Sequence, residues 1–478
     1  MDVDSYRTEA EAFLSAIDLE YYLHFGGRKD DFEIEAIYER HARLFSREAV
    51  DGLRDAGNRT LLRFAAEGYV EQAVKELAAE FARVEAALEV EIDGESYPYR
   101  QAAVLQANEP DPARRRTVDD ARNELVTTHL NPLLREMFER SRELVRELGW
   151  PSVRAMTEEL SGIDLGALAR QTEAFLAATE PDYRRIVEPR LQAEIGLGFD
   201  SLGRADLPAF FRAPSLDSLF PAEQLLPTFE ATLAGLGLQN GSPGNVILDA
   251  EPRPKKSPRA FCAPVRVPEE VYLVLTRVGG REDYETLMHE AGHAEHFSHV
   301  DPALPVEHRY LGDNSVTEGF AFLFQHLTED PTWLERRLGV DDPSEAVEQA
   351  RAAKLVFLRR YCAKLAYELE LQGDGGPDGL DELYARRLSD AVHVDWPTAT
   401  WLADVDPFFY VAAYLRAWAL ETHLRRVLRE RFGESWFEDP RAGVLLRELW
   451  QSGQRERADE LLRRLTGAEL DFSALLDD

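Results

Sequence analysis

Apolar residues recur at spacings of three and four through most of the first 240 residues. Residues 61–92, LLRFAAEGYVEQAVKELAAEFARVEAALEVEI, and residues 121–148 show this spacing most clearly, and it predicts amphipathic helices. Breaks in the pattern fall at positions 26–27, 108–113 and 150–151, where glycine and proline interrupt helices. There is no fixed-period repeat, so the pattern does not predict a solenoid.

The pattern changes between residues 245 and 278, where short β-branched runs are separated by prolines. This predicts a small sheet. A glycine pair at 279–280 ends the last strand, and an acidic pair at 282–283 starts a helix. Helical patterns then resume to the C-terminus. The sequence therefore predicts a mainly α protein with one modest sheet, in which a helical lobe at 1–240 precedes a region at 241–478 that contains the sheet.

The helix after the sheet contains TLMHEAGHAEHFSHV, residues 286–300. His289 and His293 are four residues apart, so both imidazoles lie on one helix face and can reach one metal ion. Glu290 is rotated away about the helix axis, which suits a general base acting on water at the metal. The pentapeptide alone leaves open an ordinary exposed, charged helix.

One arrangement of such a site takes its third ligand six residues after the second histidine. His299 stands there, but the bend that this arrangement needs is made by glycine, and His296 occupies that position. The arrangement also needs a later methionine, and all four methionines precede His293: Met1, Met137, Met156 and Met288. We therefore reject it.

A second arrangement takes a glutamate from a later helix. Residues 312–327, GDNSVTEGFAFLFQHL, open with capping residues and continue with aromatic ones, which predicts a helix start. Glu318 lies near that start, 25 residues after His293. Two histidines and one glutamate would leave the fourth zinc position open, as hydrolysis requires. Glutamates also occupy first helix turns simply to complement the helix dipole.

The motif TLMHEAGHAEH resembles the HExGHxxH stretch of the thimet oligopeptidase and oligoendopeptidase F family of zinc peptidases. In that family the third ligand is a glutamate about 25 residues past the second histidine, which matches Glu318. The preceding KSPRAFCAPV resembles the strand that lines the family's cleft, with Arg259 where glycine is usual. The resemblance covers residues 255–420 at the level of motifs.

Within DPFFYVAAYLRAW, residues 406–418, Tyr410 and Tyr414 resemble the tyrosines of the family's Phe-Tyr-Val-x-x-Tyr segment. Their spacing points both hydroxyls the same way from a helix. Neutral donors can stabilise the negative charge that develops on a peptide carbonyl oxygen under attack. Core packing of two tyrosines is the alternative.

The resemblance implies a two-lobed helical fold with a small sheet beside the motif helix and a deep substrate channel. It implies one zinc ion held by His289, His293 and Glu318, with Glu290 as general base and short oligopeptides as substrates. Nitrogen and oxygen ligands also tolerate manganese or cobalt. Two alternatives remain open: a carboxypeptidase of similar fold, and a catalytically inactive homologue that binds peptides.

The chain departs from the family shortly before the tyrosine pair, where the family often has a histidine. Asp404 or Asp406 stands there, and the nearest histidine, His393, lies well upstream. An acid at this point suggests a different substrate orientation or the selection of a positively charged group. We also consider Asp313 as a hydrogen-bonding partner for a ligand histidine.

The remaining histidines and cysteines are predicted to lie outside the ligand set. His296 matches a family histidine near the site, and three others are expected to be structural: His299, His308 and His326. Cys262 is expected to be a small buried apolar residue. With Cys362 it makes up the two cysteines, too few for a disulfide framework.

The formal charge of −33, from 88 acidic and 55 basic residues, disfavours nucleic acid and anionic membranes as partners. The first residues lack the basic and apolar segments of a signal peptide, and no apolar run approaches the length of a membrane span. We therefore expect a cytoplasmic enzyme that acts on oligopeptides.

Overall fold

The computed structural model describes residues 2–238, 244–375 and 379–477. Most of these residues lie in helices, and the strands form two small sheets. The prediction of a mainly α protein is therefore confirmed. No helix in these ranges is long and apolar enough to cross a membrane.

The chain divides into two compact units that alternate along the sequence. The first unit consists of Met1–Ala65, Leu216–Val347 and Ala413–Asp478, and the second consists of Ala66–Ser215 and Glu348–Ala412. This division differs from the predicted one at 240/241, a position that lies outside the described residues. Each unit draws on both halves of the chain because its helices pack on partners that are distant in sequence.

The first unit consists of helices and one small sheet. Its helices are Val3–Phe25, Ile34–Arg40, Arg47–Ala56, Leu225–Gly235, Arg281–Ser298, Val306–Arg309, Asn314–Gln325, Pro331–Trp333, Pro440–Trp450 and Ala458–Thr466. Three further helices contain residues of both units: Arg59–Ala73, Ser344–Leu371 and Tyr410–Phe432.

The second unit is built mainly from helices and contains an aromatic-rich core, which includes Tyr183, Phe210, Tyr367 and Trp401. Its helices are Lys75–Ala87, Tyr99–Asn108, Pro112–Leu125, Asn131–Glu147, Val153–Ser161, Leu165–Ile195, Leu207–Arg212 and Leu380–Val392. The predicted breaks at 108–113 and 150–151 fall between consecutive helices, as expected.

The second unit also contains a hairpin that the helical pattern of residues 61–92 did not predict. Glu89–Ile92 pairs antiparallel with Glu95–Pro98, and Asp93 and Gly94 form the turn with φ of 54° and 83°. Both residues have positive φ, which is the conformation that an Asp-Gly hairpin turn favours. The Asp-Gly pair was the sequence signal for this hairpin.

The predicted sheet between residues 245 and 278 is present in the first unit. Val246–Asp249 pairs parallel with Glu270–Val274, whose other side pairs antiparallel with Phe261–Arg266. The sheet packs against Arg281–Ser298, called the motif helix below. A small sheet therefore lies beside the motif, as predicted.

The motif helix begins after two glycines, as the sequence predicts. Gly279 and Gly280 have φ of 90° and 88°, a backbone conformation that glycine adopts without steric cost. Asp283, in the first helical turn, accepts the backbone N–H groups of Val278 and Gly279, each at 2.9 Å. These contacts fix where the chain turns from the sheet into the helix.

Candidate metal centre

The motif helix crosses a second helix, Asn314–Gln325, at very short range. This second helix is called the glutamate helix below. A Cβ atom added at Gly292 would lie 2.5 Å from the carbonyl oxygen of Phe320 and 2.6 Å from Cα of Ala321. The glycine between the two motif histidines therefore lets the two backbones approach each other, and this approach places Glu318 opposite the histidines.

The structure brings His289, His293 and Glu318 together. Oε2 of Glu318 lies 3.4 Å from Nε2 of His289 and 3.6 Å from Nε2 of His293, and the three donor atoms lie within 4.8 Å of one another. Tetrahedral zinc with bonds of about 2.0–2.1 Å would separate its ligand atoms by roughly 3.3–3.4 Å. The two measured separations are close to that value, so this donor set fits a zinc ion.

Glu318 is the fifth residue of the glutamate helix, one position beyond the first turn. The helix dipole acts within the first turn, so it does not account for a carboxylate here. The residue is 5% exposed, and burying a carboxylate is costly unless cations or donors compensate it. A ligand role explains this placement better than dipole complementarity does.

The outer nitrogen of each motif histidine has a neutral partner on the glutamate helix. Nδ1 of His289 lies 2.9 Å from Oε1 of Gln325, and Nδ1 of His293 lies 2.8 Å from Oγ1 of Thr317. The amide oxygen can only accept, so Nδ1 of His289 carries the proton and its Nε2 keeps a lone pair. That tautomer presents Nε2 to a metal.

Burial disfavours the charged form of both histidines, but the pKa of one is lowered and that of the other is raised. It lowers the pKa of His293 to about 4, so this ring is neutral at pH 7. At His289 burial also acts to lower the pKa, but the hydrogen bond and charge of Glu318 outweigh it and raise the pKa. A bound cation would oppose protonation of both rings.

Glu290 lies beside the donor set and is held by the sheet. Its Oε2 accepts the backbone N–H of Cys262 at 2.9 Å. Burial raises the pKa of Glu290 to about 7, and a cation nearby would act against this rise because it favours the carboxylate. A carboxylate that lies beside the donor set and is fixed by a hydrogen bond suits a general base.

The two predicted tyrosines differ in what the structure shows of them. Tyr414 belongs to the first unit, and its ring lies 6.0 Å from that of Phe322, which in turn lies 5.1 Å from His289. Tyr414 and His289 therefore both lie next to the ring of Phe322. Tyr410 begins its helix within the second unit, and its role stays a prediction.

Comparisons with known proteins identify the fold. No protein-family model matches the sequence, and no curated protein matches it. Among solved structures, a Bacillus anthracis (strain Ames) protein provisionally named oligoendopeptidase F is similar over 98% of this chain and 88% of its own chain. The TM-score is 0.68 and the sequence identity is 14%. At this identity the likeness establishes a shared, mainly helical fold.

Asp404 and Asp406 both pair with basic side chains inside the second unit. Arg360 contacts Asp404, Tyr384 donates a hydrogen bond to Asp404 at 2.8 Å, and Lys364 donates to Asp406 at 2.8 Å. Each carboxylate is already paired with a cationic side chain, so the suggestion that one of them selects a positively charged substrate group loses its basis. Arg360 and Lys364 are four residues apart and lie on one face of their helix, which brings both cations to the same pair of carboxylates.

The other histidines of the motif segment are not part of the donor set. His296 is fully buried, and its ring packs 5.1 Å from that of Phe320. His299 contacts Glu295, with 3.7 Å between Nδ1 and Oε2, and its ring lies 5.2 Å from Trp450. The methionine-dependent arrangement that uses His299 is therefore not formed.

Cys262 contributes more than the packing expected of a small apolar residue. Its side chain is partly exposed, and burial around the sulfur raises the pKa of its thiol. Its backbone N–H, rather than its thiol, makes the contact to Glu290. Sequence reasoning missed this role because a backbone donor leaves no residue-type signal.

Asp313 caps the glutamate helix instead of contacting a ligand histidine. Its Oδ1 accepts the N–H of Ser315 at 3.0 Å, while Oδ2 accepts Arg416 at 2.9 Å and the N–H of Ala458 at 3.0 Å. The suggestion that it contacts one of these histidines is wrong, because Gln325 and Thr317 occupy their outer nitrogens. Asp313 instead fixes where the glutamate helix begins and has no contact with the two histidines among its hydrogen bonds given above.

Asp313→Asn should lower the free energy of unfolding by roughly 2 kcal/mol at neutral pH. Burial opposes ionisation of Asp313, but the charge of Arg416 and several hydrogen bonds lower its pKa from 3.8 to about 2. That difference corresponds to roughly 2 kcal/mol, and asparagine keeps the capping oxygen. Because the folded pKa is the lower one, this stability exists above about pH 4 and is lost as the pH falls towards 2.

Urea unfolding of the wild type and the Asp313→Asn variant at a series of pH values measures this contribution. The gap between their unfolding free energies should be constant from about pH 7 to 5 and should narrow below about pH 4. A gap that stays constant throughout would show that the charge of Asp313 does not stabilise the fold.

Proposed function

We propose that this chain is a cytoplasmic, zinc-dependent peptidase that hydrolyses short oligopeptides. The observation that carries the proposal is the convergence of His289, His293 and Glu318, with donor separations of 3.4 and 3.6 Å. The shared fold with a protein provisionally named oligoendopeptidase F supports the reaction class. One ion per chain would be held by these three residues.

Zinc, when bound, supplies Lewis-acid activation of water and of the peptide carbonyl. Glu290 would accept a proton from the attacking water and later give it to the leaving amine. The Cys262 N–H would hold this carboxylate in place through both transfers. Tyr414 and Tyr410 would donate hydrogen bonds to the oxygen that becomes negative.

The strand Phe261–Arg266 suggests how a substrate would be held. Within the described residues this strand pairs on one side only, with Glu270–Val274. The N–H of Cys262 points to Glu290, so the strand's outer edge faces the general base. An extended peptide that adds to this edge would pass beside Glu290. Short, unstructured chains can adopt that conformation, whereas most segments of folded proteins cannot.

Metal analysis combined with peptide digestion tests the proposal. We expect one zinc per chain, and cleavage of an internally quenched peptide blocked at both ends that stops when a chelator removes the metal. A carboxypeptidase would cut only a peptide with a free C-terminus. Stoichiometric zinc without cleavage of a mixed peptide library would instead favour a binding protein. Manganese or cobalt added to the chelated protein would show which ion restores activity.

A further inference from the structure

The donor set is supported by two side chains for which the proposed function has no role. Thr317 and Gln325 contact the outer nitrogens of His293 and His289 at 2.8 and 2.9 Å. We propose that they are positioning residues that fix the tautomer and orientation of the two ligand histidines. We further propose that their neutrality keeps those ligands weakly electron-donating. This inference rests on the proposed zinc site.

Helix geometry explains how one helix supplies both partners and the third ligand. Gln325 follows Glu318 by seven residues, which is close to two full turns, so both side chains lie on the same face. Thr317 precedes Glu318 directly and lies about 100° around the axis. The glutamate helix therefore contacts the Nε2 atoms of both histidines through Glu318. It contacts their Nδ1 atoms through Gln325 and Thr317.

The position of each proton follows from these contacts. The Gln325 amide oxygen accepts from Nδ1 of His289, which leaves a lone pair on Nε2. When Nε2 of His293 binds a metal, its Nδ1 must carry the proton and donate it to the Thr317 hydroxyl. Thr317 is 5% exposed, so water has little access to replace its hydroxyl.

The charge of these partners determines how strongly the histidines donate to a metal. A carboxylate in either place would make the imidazole more basic and bind the ion more tightly. Here the negative charge of the site comes from Glu318 and Glu290, which together balance a divalent cation. A third carboxylate would give a net negative centre and weaken the ion as a Lewis acid. The neutral partners therefore favour reactivity over the tightest binding.

Zinc affinity measured by competition with a chromophoric chelator at about pH 8 tests this inference without measuring activity. Thr317→Val and Gln325→Met should each weaken binding by roughly 10–100-fold. Thr317→Ser should restore it, and Gln325→Glu should bind zinc about tenfold more tightly than the wild type. A gain in affinity cannot result from damage to the fold, so this last variant tests the effect of the partner's charge separately from packing.

Thr328→Val provides the matched control. Thr328 is similarly buried, and its hydroxyl donates to the backbone oxygen of Gln325 at 2.8 Å rather than to a histidine. We expect unchanged zinc affinity in this variant. The absorption spectrum of the cobalt-loaded protein should change for Thr317→Val and Gln325→Met, and should not change for the control.

Wild-type affinity in both Thr317→Val and Gln325→Met, or no gain in Gln325→Glu, would overturn the inference. A wild-type protein that binds no zinc would overturn the proposed function itself, and the two failures are thereby distinguished.

Discussion

Glu290→Gln should leave zinc bound and lower peptide cleavage by about 10²–10⁴-fold, the contribution typical of a general acid–base residue. Glutamine has nearly the same shape and can still accept the N–H of Cys262, which in the native protein bonds to Glu290 at 2.9 Å. It cannot accept a proton from water, because an amide is far less basic than a carboxylate. The proposed metal donors at 289, 293 and 318 are untouched, so binding and catalysis should separate.

The measurement is metal content together with kcat/KM on the doubly blocked peptide. Glu282→Gln is the matched control, since Glu282 is an exposed acid on the same helix that pairs with Arg259 at 2.8 Å. It should cleave at the wild-type rate. Cleavage by Glu290→Gln within a few-fold of wild type would remove this residue from the mechanism.

The local part of the site could be predicted from the sequence. Helical periodicity places His289 and His293 on one face and turns Glu290 away, and the glycine pair at 279–280 fixes where the helix begins. These are relationships within one element, which spacing alone determines. The small sheet was predicted for the same reason, because β-branched runs between prolines are a local signal.

The contacts of the site between residues distant in sequence could be identified only from the family resemblance or from the structure. Nothing in the spacing shows that residue 318 returns to the motif, and the resemblance provided that match. Thr317 and Gln325 were missed because their role depends on the crossing of two helices. The pairing of Asp404 with Arg360 was missed because the basic residue lies 44 positions earlier in the chain.

The division of the chain was also beyond sequence reasoning. A break in pattern near residue 240 suggested two consecutive lobes, whereas the first unit is assembled from three separate segments. Local patterns report where an element starts and ends, but which elements pack together depends on complementary surfaces that are distant in sequence.

Gly292→Ala should disrupt the metal centre although the substitution adds a single methyl group. The new Cβ would lie 2.5 Å from the Phe320 carbonyl oxygen and 2.6 Å from Cα of Ala321, both backbone atoms of the glutamate helix. Ordinary contact begins near 3.4 Å, so the two helices must separate by roughly 0.9 Å (3.4 − 2.5). Metal–ligand distances tolerate about 0.2 Å. Zinc affinity should therefore fall by at least about 100-fold.

Chelator competition measures that loss, and thermal unfolding of the metal-free protein separates it from a general loss of stability. Overpacking costs about 1–3 kcal/mol and occasionally more, and the two atoms that the methyl would meet belong to the backbone. Alanine recovers up to about 1 kcal/mol of helix propensity, so the metal-free variant should unfold at a lower temperature than the wild type but still cooperatively. Gly166→Ala is the control, because its Cβ would meet polar side-chain atoms of Asp164 and Arg154 no closer than 3.3 Å. That variant should keep wild-type zinc affinity. If Gly292→Ala also kept it, the close helix crossing would not be what assembles the three donors.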